Sequence, residues 1–168
     1  MNTNTTTSDS SSDTSAAAPA LAPIQAVDAE APITVRLSIT VRAPLADVWA
    51  LHTDIGAWAD WNPDIDRASL DGPLVPGTRF HWLTHGLDIT STIYQVVPGR
   101  RIVWGGPAQG IDGVHAWTFE ESDGVVTIRT DESWSGPPVD AQPEELRSGL
   151  TQSLEQWLLH LKRRAEHP

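Results

Sequence analysis

The sequence predicts an α+β fold in which one long C-terminal helix lies across a curved antiparallel sheet. Three observations carry that expectation. Turn dipeptides punctuate short strand-like runs at Asp71-Gly72, Pro76-Gly77, Pro98-Gly99, Asp112-Gly113 and Asp123-Gly124, and turns this frequent fit a meander, not βαβ crossovers. Residues 33–42, "ITVRLSITVR", alternate apolar and polar as a half-buried strand does. Near the end, Leu146, Leu150, Leu154, Trp157, Leu158 and Leu161 recur at three- and four-residue spacing. They form an apolar helical stripe that needs a sheet to cover it.

The elements follow in order. Residues 1–32 are rich in Thr, Ser, Ala and Pro with no apolar period. Such a stretch buries too little to offset its ordering entropy, so it is expected to be a disordered tail before a folded domain over 33–168. The first strand sets Ile33, Val35, Leu37, Ile39 and Val41 on one face. In "APLADVWALHTDIGAWADW", Pro44 suits a first helical turn, Leu45, Val48 and Leu51 have helical spacing, and Gly56 is expected to divide two short helices. Strands are expected over 64–70, 78–85, 87–97, 100–105, 113–121 and 125–135. The last helix, 141–165, opens on Pro143, Glu144 and Glu145 and closes on Lys162, Arg163 and Arg164, which complements its dipole.

Composition removes several function classes. A chain of 168 residues fits one domain. Its net charge of −11 argues against nucleic acid or an anionic membrane as partner, since both demand basic patches. With no cysteine, disulfides, thiolate catalysis and Cys-ligated zinc are excluded. His81 and His85 in "HWLTH" are spaced like a metal pair, but on a strand four residues span about 13 Å, too far to share one ion. Both are expected on the outer face, and no metal or cofactor is implied. His52 is read as a helix cap or a surface residue. "GGPAQG" at 105–110 lacks the lysine of a phosphate loop and is read as a flexible loop at the rim of the interior. No apolar run approaches the ~18 residues of a membrane span, and the start lacks the basic and apolar regions of a secretory signal, so a cytoplasmic protein is expected.

A set of local patterns, "APLADVWAL", "WADWNPDI", "PGTRF", "VVPGRRIVWGG", "GVHAWTFEE" and "TDESWSG", resembles the START-like SRPBCC superfamily and within it the polyketide cyclase/dehydrase-type proteins. The resemblance spans about residues 33–165. It implies a helix-grip fold: a seven-stranded antiparallel sheet curved around a long C-terminal helix, two short helices after the first strand, and a hydrophobic cavity inside. Such families include carriers, cyclases, dehydratases and hydroxylase components. The implied function is binding of a small hydrophobic molecule, cyclic or aromatic, polyketide- or lipid-like. The alternatives are a metal-free cyclase or dehydratase and a regulatory module that binds a partner through its outer sheet face. The oligomeric state is left open.

Register counting supplies candidate residues. If Asp123-Gly124 is a two-residue turn, Ser122 pairs with Val125, so Phe119 faces Ile128, Trp117 faces Thr130 and His115 faces Glu132. That face, which also holds Trp134, is apolar and should be the cavity side. The opposite face carries Thr118, Glu120, Thr127, Arg129 and Asp131. His115 and Glu132 are the candidate catalytic pair, a carboxylate orienting and charging an imidazole base. The bland alternative is a polar patch whose two members satisfy each other. Eight tryptophans against one tyrosine and two phenylalanines suit a cavity wall as well as a core. Candidate ligand contacts on strands are Phe80, Trp82, Trp104, Trp117, Phe119, Thr130 and Trp134. On the last helix they are Leu150, Leu154 and Trp157, with Gly149 and the candidate Ser153 small enough to leave volume beneath. Trp58 and Trp61 are read first as closing a core, and by the resemblance as candidate gates and ligand contacts at the cavity mouth.

Overall fold

A computed structural model describes residues 24–168. Most of the expected tail lies outside the described residues. Its last part is tied down: the Asp28 N–H donates to Ser133 Oγ (3.0 Å), and the guanidinium groups of Arg101 and Arg147 donate to the carbonyls of Gln25 (2.9 Å) and Pro32 (2.8 Å).

The elements are β1 (Ile33–Val41), α1 (Leu45–Thr53), a 3-10 helix (Ile55–Asp60), β2 (Ile65–Leu70), β3 (Arg79–Thr84), β4 (Leu87–Val97), β5 (Arg101–Ala108), β6 (Ile111–Ser122), β7 (Val125–Ser135), α2 (Pro137–Ala141) and α3 (Pro143–Glu166). One seven-stranded antiparallel sheet results, ordered β1-β7-β6-β5-β4-β3-β2. The two short helices carry the chain from one edge of the sheet to the other. They part at Asp54, the shared cap, and not at Gly56. The short α2, for which no helix was expected, precedes an α3 that starts at Pro143 and not at 141.

Three hairpins use the same device. His85-Gly86, Gln109-Gly110 and Asp123-Gly124 each place two successive residues at positive φ, the type I′ geometry whose twist matches antiparallel strands. The flanking pairs are Thr84↔Leu87, Ala108↔Ile111 and Ser122↔Val125. Because side chains alternate with period two, each turn locks which residues face inward. Two expectations change here. His85 is a turn residue and not an outward-facing strand residue, and "GGPAQG" is strand through Ala108, with only Gln109-Gly110 left to turn. Register shifts between Ile65 and Arg67 and between Ile93 and Gln95 are bulges, which bend the sheet around α3.

The core fills one half of the concave face. Trp58, Phe80, Trp117, Phe119, Ile93, Ile102 and Ile128 are buried there beneath α1 and the 3-10 helix. At its centre is His52, which is fully buried, against the expectation of a cap or surface position. Val48 and His52 are the buried residues of α1, one helical turn apart, so the face that buries the valine also buries the imidazole. The ring lies 4.5 Å from Trp117, 5.1 Å from Phe119 and 5.5 Å from Trp104, centroid to centroid. Neither ring nitrogen meets a hydrogen-bond partner among the described residues, and burial lowers the pKa to about 3.

A buried neutral histidine has a definite pH signature. The unfolded chain takes up this proton below about 6.5 and the folded chain only near 3, so stability present at neutral pH is lost as pH falls through that window. By pH 4.5 the loss from this one group is about 2 to 3 kcal/mol. Replacing an unpaired polar ring by an apolar side chain of similar size is near neutral or stabilising. His52→Leu is therefore expected to match or exceed the wild type at pH 7 and to lose less between pH 7 and pH 4.5, as urea midpoints would show. Equal losses would contradict a neutral, buried ring.

Candidate functional site

The other half of the concave face, under the N-terminal half of α3, encloses a cavity of about 270 Å³. The same strands supply both halves. On β6, Trp117 and Phe119 lie in the core while Ile111, Gly113 and His115 line the cavity. On β7, Ile128 and Thr130 lie in the core and Glu132 and Trp134 line the cavity. On β3 the boundary falls between Phe80 and Trp82, and on β4 between Ile93 and Ser91. The helices cover one end of the inner face, and what they leave uncovered is the cavity. On α3, Gly149 and Ser153 alternate with Leu150, Leu154 and Trp157 along the roof, and a side chain at 149 would meet open space. His85, Leu87, Gln109 and Gly149 are exposed lining residues and mark the mouth.

The wall is mostly apolar, with the indoles of Trp82, Trp104, Trp134 and Trp157 as its largest surfaces. Its polar centre is the pair that register counting singled out. His115 stands directly opposite Glu132, with Nδ1 3.2 Å from Oε2. His115 Nε2 lies 2.7 Å from Thr130 Oγ1, and Trp134 Nε1–H donates to Glu132 Oε1 at 2.7 Å. Two glycines make this packing feasible. Gly113 faces Trp134 across the strands, and even a Cβ there would lie 3.4 Å from the indole, so a larger side chain would displace the ring that holds Glu132. At Gly105, a Cβ would run into the Gly113 carbonyl.

Burial dominates the electrostatics. It raises the Glu132 pKa from 4.5 to about 7, against the pull of the Trp134 hydrogen bond, which stabilises the carboxylate. Burial, and secondarily His52, hold His115 well below 6.5. The pair near neutrality is thus an uncharged imidazole beside a carboxyl poised to ionise. When Glu132 is ionised, Nδ1–H donates to it and Nε2 accepts from the Thr130 hydroxyl. When Glu132 is protonated, its O–H donates to Nδ1 and Nε2–H donates to Thr130. Both ring nitrogens are engaged in either state. Glu132 is the better-exposed partner, 14% against 6% for the two side chains, so the carboxyl is the more open of the two groups to the cavity.

Of the other candidates, Trp82, Trp104, Trp134, Leu150, Ser153, Leu154 and Trp157 come together around the cavity. Phe80, Trp117, Phe119 and Thr130 share the inner face but lie in the filled half or beneath the polar pair. Trp58 and Trp61 are buried in the core and do not line the cavity; Trp58 Nε1–H donates to the His52 carbonyl at 2.8 Å. The sequence reading missed Asn62, Asp64, Ile89, Ser91 and Ile111. A turn at His85-Gly86 would have revealed two of them, since it sets Ile89 opposite Trp82 and Ser91 opposite Phe80. His81 lies outward, between Asp71 (3.0 Å) and Thr90 (2.9 Å).

A carboxyl held up by burial and down by one indole is directly testable. In ¹³C NMR the Glu132 carboxyl is expected to titrate near pH 7, and higher in Trp134→Phe, which loses the hydrogen bond that favours the ionised form. A wild-type midpoint near the ordinary 4.5, or no rise in the variant, would contradict this account of the site.

Comparison with known proteins follows this geometry. The family described as polyketide cyclase/dehydrase and lipid transport matches residues 32–166. None of the curated proteins matches the chain. Among solved structures, a hypothetical protein of Helicobacter pylori is 20% identical, with a TM-score of 0.72 over 87% of this chain and 99% of that one. A START superfamily protein of Mycobacterium smegmatis is 14% identical, with a TM-score of 0.66 over 79% and 97%. The ZhuI aromatase/cyclase of Streptomyces sp. R1128 is 19% identical, with a TM-score of 0.66 over 80% and 93%. At these identities the likeness establishes the helix-grip fold. No helix among the described residues is long and apolar enough to cross a membrane.

Proposed function

The chain belongs to the polyketide cyclase/dehydrase and lipid transport family, and on that footing we propose that it binds a small cyclic or aromatic hydrophobic molecule beneath α3. The observation that carries this reading is the cavity itself: an indole-walled space with one polar pair, closed on one side by the core and open at the two hairpin tips. Its volume of about 270 Å³ sits near the lower end of the ~300–1,000 Å³ usual for ligand sites. An apolar void of about 150 Å³ accepts benzene. A molecule of two or three rings suits the space better than a long acyl chain. The indoles contribute area and shape, and the Glu132 carboxyl fixes orientation by one hydrogen bond.

A second reading is favoured by the carboxyl whose pKa lies near 7. Glu132 exchanges a proton with a carbon next to a ligand carbonyl, while His115 and Thr130 take up the accompanying change of tautomer. A general acid–base group tuned near the working pH contributes roughly 10²–10⁴-fold. In this reading Glu132→Gln lowers deuterium exchange into a bound cyclic ketone by about 10²-fold or more, and unchanged exchange would dismiss it.

The binding reading is tested with the uncharged dye N-phenyl-1-naphthylamine, whose fluorescence rises on leaving water. Saturable binding is expected for the wild type. Ser153→Leu, which fills the space beneath α3 with apolar volume, is expected to weaken it at least tenfold while leaving the unfolding midpoint unchanged or higher. Equal binding by the variant would place the dye elsewhere and contradict the proposal.

A further inference from the structure

We propose that the cavity selects its ligand by charge, accepting a ring system that carries a basic nitrogen and rejecting carboxylates, phosphates and phosphate-bearing lipids. This rests on the reading of the cavity as a ligand site and narrows it. Among the described residues, the wall contains the carboxyls of Asp64 and Glu132 and the imidazoles of His85 and His115, with no lysine or arginine. Several basic side chains are engaged elsewhere: Arg36 with Asp131, Arg67 with Asp88, Arg129 with Glu120, and Arg147 with backbone carbonyls beside β1.

The consequence for an incoming charge is lopsided. An anion moved into this wall loses its hydration, which is costly for any ion, and meets no counter-charge. Any carboxylate lying there repels it. A cation loses hydration too but meets the Glu132 carboxyl, held in place by Trp134 and His115, in a wall rich in indoles, and tryptophan is the best cation–π partner. Asp64, 3.8 Å from His160 on α3, adds a second carboxyl at the other side of the cavity. The net charge of −11 extends the same preference to the approach, raising the local concentration of cations.

Three ligands of one shape separate the possibilities: 2-naphthylmethylamine, 2-naphthylmethanol and 2-naphthoate, titrated calorimetrically into the full chain at pH 8, where the amine is cationic and the acid anionic. The amine is expected to bind at least tenfold more tightly than the naphthoate, with the alcohol between. Glu132→Gln is expected to bring the amine down to the alcohol's affinity. Naphthoate binding as tightly as the amine, or an amine preference that survives in Glu132→Gln, would overturn the inference, as would failure of all three where N-phenyl-1-naphthylamine binds. Failure of that dye as well would overturn the cavity reading beneath it.

Discussion

The polar chemistry of this cavity depends on the register of β6 against β7. Asp123-Gly124 reverses the chain in two residues, both at positive φ, and seven rungs down the ladder from Ser122 and Val125 His115 meets Glu132. A slip of β7 by one residue would turn Glu132 to the outer face and away from His115, where the carboxyl would be solvated and ordinary. In the observed register the carboxyl is buried, and burial alone moves it from an ordinary acid to one poised near neutral pH. Trp134, Gly113 and Thr130 are adjustments to that placement. The indole steadies the carboxylate, the glycine admits the indole, and the hydroxyl satisfies the imidazole nitrogen that points away from the carboxyl.

The second constraint is how the concave face is shared. Seven strands present more inward surface than α3 alone covers, and α1 with the 3-10 helix closes only one end. There the interior is packed solid around His52, with rings in edge-to-face and tilted contact. Past the line from Phe80 to Trp117 no element plugs the space, and small residues on α3 keep the roof high. Trp104 stands on the boundary, stacked near His52 on one side and lining the cavity on the other. A rigid half thus holds the open half in shape, and indoles serve both because they are large enough to fill a core and amphipathic enough to meet a ligand.

The fold was legible because its signals are local: alternation in β1, two-residue turns, and a leucine stripe on α3. The His115–Glu132 pairing was legible because a two-residue turn reduces it to counting. What counting could not supply was position along the strands relative to the covering helices. Parity put Phe80, Trp82, Trp117 and Trp134 on one face correctly, yet it cannot say that Phe80 and Trp117 fall under α1 while Trp82 and Trp134 do not. His52 had a usable signal, its one-turn spacing from Val48, but a lone histidine at a helix end reads more naturally as a cap. Asp64 had none, since its place depends on how the chain leaves the 3-10 helix.

The central claim is that ligand enters the half of the interior that the helices leave open. The chain's eight tryptophans make this visible in one experiment, a titration of N-phenyl-1-naphthylamine followed by the indole N–H resonances in ¹H–¹⁵N spectra. The account predicts that Trp82, Trp104, Trp134 and Trp157 shift together and saturate, while Trp49, Trp58 and Trp61 hold still. Shifts centred on Trp49, Trp58 and Trp61, or none at saturating dye, would contradict it.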